Sequence, residues 1–252
     1  MHTTRRRTRL TTIALALLLS GNVVASGTAI AHEGHESDEA TPAASPAAAP
    51  YAGLPFTPPP VVSGEENATY TGATLGDPDA PVTMAIYADY QCPHCGGFHR
   101  TAEPRLIDDF VRTGEVKLEF REFPFFGGDD LTDDGNESAQ AAEALLCAAE
   151  QGAYLDYRDA LYDGRLGINE GGFSDDRLAR FAGDLGMDVD AFATCLASGG
   201  YEPAITQSRD EGLELGVTGT PMFIINGKVT PYTAQGYDLL RTQLEDAVAA
   251  AG

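Results

Sequence analysis

The amino-acid sequence predicts one α/β domain that carries an inserted block of helices. Two apolar segments rich in strand formers, 82–88 and 116–125, flank residues that suit a helix. Helical periodicity then runs from 136 to 215, after which Asn226-Gly227 marks a tight turn between two short strands. Strands on both sides of a helical block indicate one α/β domain that carries an insertion.

Residues 1–31 predict an export signal peptide. Four arginines precede an uncharged apolar run that begins at Leu10, and Ala29-Ile30-Ala31 supplies small residues for cleavage. The run is also long enough to span a bilayer, so an uncleaved membrane anchor is the alternative. Either outcome places the rest of the chain in the periplasm or another extracytoplasmic space.

Residues 32–66 predict a disordered linker. They are rich in Ala, Pro and Glu, and they cannot bury enough apolar surface to fold alone. We therefore expect the folded domain to cover residues 67–252, with the helical insertion at about 127–215.

Local periodicity and turn residues set the elements expected within this domain. The expected strands are 70–75, 82–88, 116–125, 222–225 and 229–232. The expected helices outside the insertion are 92–112 and 235–249. Pro104 should kink or re-register the first of these helices, because its ring clashes with the preceding turn and it has no N–H to donate.

Charge and cysteine content narrow the functional class. The chain has 38 acidic and 16 basic residues, which gives a net charge of −22. Such a polyanion repels nucleic acid and anionic membrane surfaces, so we expect no nucleic-acid partner. Four cysteines in an exported protein indicate an oxidising compartment and two disulfides.

Two of the cysteines belong to the segment Cys92-Pro93-His94-Cys95, at a strand-to-helix junction. A helix start stabilises an anion at Cys92, and Cys95 lies one turn further on the same face, within reach of Cys92. A protonated His94 would lower the Cys92 pKa further, and Pro93 suits a first helical turn. This arrangement predicts a reversible redox dithiol.

Two other interpretations of this cysteine pair stay open. A purely structural bridge across two residues would remove little chain entropy. A metal site would need more ligands, and His99 lies on the same predicted helix face as Cys92 and Cys95. A metal-binding protein of the copper-chaperone kind, using these three side chains, is therefore the alternative from another functional class.

The remaining cysteines, Cys147 and Cys195, both fall within the helical block. If they are paired, they close a long loop, which is worth roughly 4 kcal/mol in the chain-entropy model. Free thiols or a second redox pair are the alternatives. We favour a structural disulfide, because exported thiols seldom stay reduced.

The dithiol segment, the helical insertion and the segment 216–227 (Gly-Val-Thr-Gly-Thr-Pro-Met-Phe-Ile-Ile-Asn-Gly) together resemble the DsbA-like branch of the thioredoxin superfamily. The resemblance covers residues 67–252. It implies a thioredoxin-like fold with an inserted helical subdomain. It also implies a cis Thr220–Pro221 bond beside the dithiol, with the Thr220 backbone pairing with the substrate.

The resemblance further implies an exported thiol–disulfide oxidoreductase that uses no cofactor. We expect an oxidase that donates the Cys92–Cys95 disulfide to reduced exported proteins. The partner that reoxidises it would be a membrane quinone-linked enzyme of the DsbB or vitamin-K-epoxide-reductase type. A disulfide reductase or isomerase is the alternative among enzymes.

The chain departs from the family pattern at two positions. Many relatives have a buried, proton-accepting glutamate six residues before the first cysteine, where this chain has Ile86. Asp89 is the acid nearest to that position in sequence. The tryptophan that precedes the motif in thioredoxins is also absent, with Gln91 in its place, and DsbA-like proteins share that absence.

Overall fold

The computed structural model describes residues 50–60, 70–133, 135–232 and 236–252, and within them a six-stranded sheet carries helices and one π-helical turn. The strands are β1 (Phe56–Thr57), β2 (Ala73–Leu75), β3 (Val82–Ala88), β4 (Val116–Glu122), β5 (Met222–Ile225) and β6 (Lys228–Pro231). The helices are α1 (Pro93–Thr101), α2 (Glu103–Leu106), α3 (Glu137–Glu150), α4 (Tyr154–Gly164), α5 (Asp175–Asp184), α6 (Val189–Ser198), α7 (Glu202–Glu214) and α8 (Gly236–Ala251), with the π-helical turn at Ile107–Val111.

The sheet has the strand order β1-β2-β4-β3-β5-β6 and is mixed. β3 and β4 run parallel, with Ala88 opposite Glu122, whereas β5 runs antiparallel to β3, with Met222 opposite Tyr87. The end of β3, the end of β4 and the start of β5 therefore meet at one edge of the sheet. The predicted α/β class is confirmed.

The predicted helix over 92–112 is present in three consecutive pieces, α1, α2 and the π-helical turn. α1 stops at Thr101, and Pro104 occupies the first turn of α2, where a missing N–H leaves no helical bond unmade. The predicted effect of Pro104 on this helix is confirmed.

The expected linker boundary at residue 66 needs correction, because residues 50–60 belong to the folded structure. Tyr51 is buried, and its hydroxyl donates to Asp159 over 3.0 Å. β1 pairs antiparallel with β2, with Phe56 opposite Leu75. The prediction relied on the average Ala- and Pro-rich composition of the linker. It therefore missed Tyr51 and Phe56, two aromatic side chains that bury apolar surface against the domain.

Strand ends also differ from expectation. β4 stops at Glu122 rather than 125, because Pro124 has no N–H for the ladder and the N–H groups of Phe125 and Phe126 donate to the carboxylate of Asp89. β2 begins at Ala73 rather than Tyr70. The predicted turn at Asn226-Gly227 is present, with positive φ at both residues, as a primed hairpin turn requires.

The helical insertion consists of α3 to α7. Its core helix is α3, whose face of Ala141, Ala144, Leu145 and Ala148 is entirely buried. Asn136 caps this helix by accepting from the Ala139 N–H over 3.1 Å. A disulfide joins Cys147 on α3 to Cys195 on α6, with a Cα–Cα distance of 5.8 Å. The predicted pairing of these cysteines is therefore present in the structure.

Among the described residues, no helix is long and apolar enough to cross a membrane. The predicted export signal at 1–31 and most of the predicted linker lie outside the described residues.

We predict that replacing both Cys147 and Cys195 with Ala lowers the free energy of unfolding by about 2–5 kcal/mol, because the bridge closes a long loop in the unfolded chain. Urea denaturation measures the loss. The alkylation rate of Cys92 should not change. If the bridge is structural, it should also survive a mild reductant that opens Cys92–Cys95. Reduction of both pairs at one potential would instead indicate a second redox centre.

Candidate active site

The dithiol lies where β3 ends and α1 begins. Cys92 is the N-cap of α1, Pro93 begins the helix, and the Gly96 N–H donates to the Cys92 carbonyl over 3.1 Å. Cys92 and Cys95 are free and buried, at 2% and 1% exposure, while Pro93 and His94 are exposed. The helix-start position predicted for Cys92 is the one that the structure shows.

The pKa values of the two cysteines shift in opposite directions. A hydrogen bond from the Cys95 thiol is the largest effect on Cys92; together with the N–H groups of residues 94 and 95 it outweighs burial and lowers the Cys92 pKa to about 6. Burial, followed by the hydrogen bond to Cys92, raises the Cys95 pKa well above its usual range. At neutral pH the pair therefore consists of one nucleophilic thiolate and one protonated thiol.

Thr220 and Pro221 lie directly beside the dithiol. The Thr220–Pro221 peptide bond is cis, and Pro221 is buried at the start of β5. Cys92 Sγ lies 3.2 Å from the Thr220 carbonyl oxygen, to which the protonated thiol donates, although the two residues are 128 positions apart. The antiparallel pairing of β5 with β3 makes this contact, because it brings the start of β5 to the end of β3.

Asp89, the acid nearest in sequence to the position of the family's proton-accepting glutamate, is buried, and hydrogen-bond donors surround its carboxylate. Its carboxylate accepts from the N–H groups of Gln91, Phe125 and Phe126 and from the Ser138 hydroxyl, all within 2.7–2.9 Å. Burial raises its pKa in spite of these four donors. Its hydrogen bonds fix the backbone around the dithiol, so its role in the structure is to hold three segments together.

Gln91 connects the dithiol loop to the helical insertion. Its side-chain amide donates to the Ser138 hydroxyl over 2.7 Å and to the Asn169 side chain over 3.1 Å, and it accepts from the Asn169 N–H. A buried polar side chain thus forms hydrogen bonds where thioredoxins place an indole ring.

Glu122 is a buried acid near the dithiol that sequence reasoning missed. It accepts hydrogen bonds from the hydroxyls of Tyr154, over 2.8 Å, and Tyr70. Burial is the main cause that raises its pKa to about 7. The signal was present, because β4 alternates and Glu122 continues the buried row of Val116, Leu118 and Phe120.

His99, the third side chain of the alternative metal site, is held by carboxylates. Its Nε2 lies 3.2 Å from Asp159 and its Nδ1 3.6 Å from Glu103, and its ring stacks on Tyr162. Glu103 in turn forms a buried, bidentate ion pair with Arg158, with both N–O distances at 2.7 Å. The described part of the chain contains no group of three His, Cys, Asp or Glu side chains able to hold a metal ion.

Sequence comparison agrees with this geometry. A family model described as thioredoxin matches residues 68–246. The probable disulfide bond formation protein D of Bacillus cereus is 30% identical over 170 residues, which cover 66% of this chain and 76% of that protein. The chain belongs to the DsbA-like thioredoxin family. Members of that family are thiol–disulfide oxidoreductases, so the predicted family and enzyme class are confirmed.

Two further comparisons bear on the DsbA-like assignment. Na(+)/H(+) antiporter NhaA 3 of Salinispora tropica is 35% identical over 153 residues, but these cover 61% of this chain and only 21% of the antiporter. The crystal structure of oxidised BdbD from Bacillus subtilis superposes with a TM-score of 0.61 at 22% identity, over 70% of this chain and 92% of BdbD. This second likeness supports the predicted thioredoxin-like fold.

We predict that Glu122→Gln stabilises the protein at neutral and alkaline pH but not at acidic pH. The folded-state pKa of about 7 exceeds the ordinary value of 4.5. Ionisation of the carboxyl therefore costs the fold nothing below pH 4.5, and the destabilisation grows as the pH rises from 4.5 to 7. The difference in the free energy of unfolding between the variant and the unmodified protein should therefore be up to about 3 kcal/mol more favourable to the variant at pH 8 than at pH 4. Urea unfolding at both pH values measures this, with Glu119→Gln, on the outward-alternating side of β4, as the control. An equal effect at both pH values would contradict the prediction.

Proposed function

We propose that the protein is an exported disulfide oxidase that passes its Cys92–Cys95 disulfide to folding proteins. One observation carries the proposal: Cys92, with a pKa near 6, lies 3.2 Å from the Thr220 carbonyl and in contact with a buried Cys95 of much higher pKa. A thiolate that is stabilised in the reduced protein leaves readily and makes the corresponding disulfide oxidising.

The proposed reaction moves two electrons from a substrate dithiol to the protein. A substrate thiolate attacks Cys92 Sγ, the Cys92–Cys95 bond breaks, and Cys95 leaves as a thiolate that takes up a proton. The second substrate thiolate then attacks the substrate sulfur of the mixed disulfide and expels the Cys92 thiolate. The substrate gains a disulfide and the protein is left with the dithiol that the structure shows.

Cys92 is the sulfur that meets substrate in this proposal, and the residues around it orient the encounter. Thr220 offers backbone groups for pairing with an extended substrate segment, and Pro221 holds that loop beside the dithiol. Two of the large apolar side chains that stay exposed are Phe125, at 45%, and Ile168, at 41%. The N–H of Phe125 donates to Asp89, and Ile168 precedes Asn169, whose N–H donates to Gln91. Unfolded chains, which expose apolar side chains, suit such a surface.

Turnover requires an electron acceptor outside the protein, since the dithiol stores only one electron pair. We propose a membrane quinone-linked reoxidase of the DsbB or vitamin-K-epoxide-reductase type, which fits a domain exported behind the signal at 1–31. The redox potential against glutathione distinguishes an oxidase from the reductase or isomerase alternative, because the latter activities need a more reducing pair.

We predict that Cys92→Ser abolishes oxidative refolding of a reduced multi-disulfide substrate, because the sulfur that the substrate attacks, and that later leaves as a thiolate, is lost. Cys95→Ser should instead accumulate mixed disulfides, because the intramolecular thiol that can release the substrate is gone. Non-reducing gels and mass mapping measure both effects. The double Ala variant at Cys147 and Cys195 is the control, since it removes two cysteines and keeps the dithiol. Full activity in Cys92→Ser would exclude the proposal.

We predict that His94→Ala raises the Cys92 pKa above 6 and makes the disulfide a weaker oxidant, because it removes a side chain that would favour the neighbouring thiolate whenever it carries a positive charge. Each unit of pKa corresponds to roughly 30 mV for a two-electron couple. Thiolate absorbance against pH and equilibration with glutathione measure the two quantities. Since the backbone N–H groups remain, the pKa should stay below that of a free cysteine. If the Cys92 pKa and the redox potential of the pair are both unchanged, the His94 side chain does not influence the dithiol.

A further inference from the structure

Two arginines converge beside the dithiol at Gly96, the residue that follows Cys95. A methyl group placed on Gly96 would lie 3.2 Å from Arg100 Nη1 and 3.5 Å from both Nε and Nη2 of Arg165. Arg100 is one turn further along α1, whereas Arg165 is the C-cap of α4 in the helical insertion. Two distant parts of the chain therefore bring guanidinium groups to the same spot.

Neither guanidinium has an anionic partner within the part of the chain that the structure describes. The arginines that form ion pairs with carboxylates in this part of the chain are Arg105, Arg112, Arg121, Arg158, Arg209 and Arg241. Arg100 is exposed, and Nε of Arg165 is buried without a hydrogen-bond acceptor. Two like charges held together are unfavourable, and an anion placed between them would remove the repulsion.

The surrounding charge makes this pair unusual. The chain has 38 acidic residues to 16 basic ones, so most of its surface repels acidic peptides. Three carboxylates line the adjoining cleft. Glu103 pairs with Arg158, Asp159 contacts His99 and Tyr51, and Asp163 is exposed and lies beyond ion-pair distance of both arginines. The two arginines thus place two unpaired positive charges at Gly96, one turn of α1 from Cys92.

We propose that Arg100 and Arg165 form a subsite for a carboxylate side chain of the protein substrate, close to its reacting cysteine. The inference rests on the proposed function and adds a substrate preference to it. Guanidinium groups bind carboxylates through paired hydrogen bonds. An extended chain advances about 3.3 Å per residue, so a Glu or Asp within a few residues of the substrate cysteine can reach from Cys92 to Gly96.

The test compares dithiol peptides that differ only in whether Glu, Gln or Lys flanks the cysteines. The oxidised full-length protein should oxidise the Glu peptide fastest and the Lys peptide slowest, and high salt should compress the difference. In the double variant Arg100→Gln/Arg165→Gln the Glu-to-Lys rate ratio should fall by roughly threefold to tenfold. Arg165→Lys keeps the charge and should retain most of the ratio.

Lys228→Gln is the matched control for loss of a positive charge. Lys228 is exposed and lies opposite Ile225, at the end of β5 away from Thr220. A ratio that falls equally in Lys228→Gln, or that is unchanged in the double arginine variant, would overturn the inference and leave the oxidase proposal intact.

A second readout separates the two proposals. Fluorescence anisotropy measures binding of labelled peptides in which Ser replaces each Cys, so no redox chemistry is needed. Tighter binding of the Glu peptide that is lost in the double arginine variant supports the subsite even if no peptide is oxidised, in which case only the oxidase proposal fails. Equal binding of the Glu and Lys peptides overturns the subsite.

Discussion

The arrangement around the dithiol depends on the buried carboxylate of Asp89. It accepts four hydrogen bonds from three segments: the residue before Cys92, the chain leaving β4 and the first turn of α3. Without it, the Gln91 N–H and the Ser138 hydroxyl would be buried donors that lose this acceptor, at a cost of about 1–3 kcal/mol apiece. A single short side chain thus joins the sheet edge, the reactive loop and the helical insertion.

The same edge of the sheet also explains the chemistry at Cys92. The register of β3 with β5 places Thr220 against the helix start, and α1 supplies the N–H groups that stabilise a thiolate. Cys95 is on the inner side of the same turn, where burial keeps it protonated. The difference in acidity between the two sulfurs therefore follows from their positions on one helical turn.

Local signals were enough to predict much of this fold. The bounds of β3 and β5, the N-cap position of Cys92, the break at Pro104 and the hairpin at Asn226 follow from apolar runs, proline and turn residues. β1 was missed because it is two residues long and is held by pairing with β2 across an intervening segment. Strand pairing of this kind leaves little trace in composition.

The site was harder to predict than the fold, because its decisive contacts join residues that are distant in sequence. The dithiol was visible as a motif, but the neighbourhood of Thr220 could be expected only by resemblance to a family. Nothing local indicates that Asp89 meets Ser138, or that Glu122 meets Tyr70 and Tyr154, which are 52 and 32 positions away. Alternation along β4 did mark Glu122 as buried, but its partners could be found only in the structure.

The Cys147–Cys195 bridge has a consequence for how the protein matures. The bridge clamps α3 to α6, and its two thiols must lose a pair of electrons before the insertion is complete. A newly made chain is therefore a substrate for the same chemistry that its mature copies are proposed to perform. On the proposed oxidase function, finished molecules would form this bridge in new ones, and the first molecules would need another oxidant.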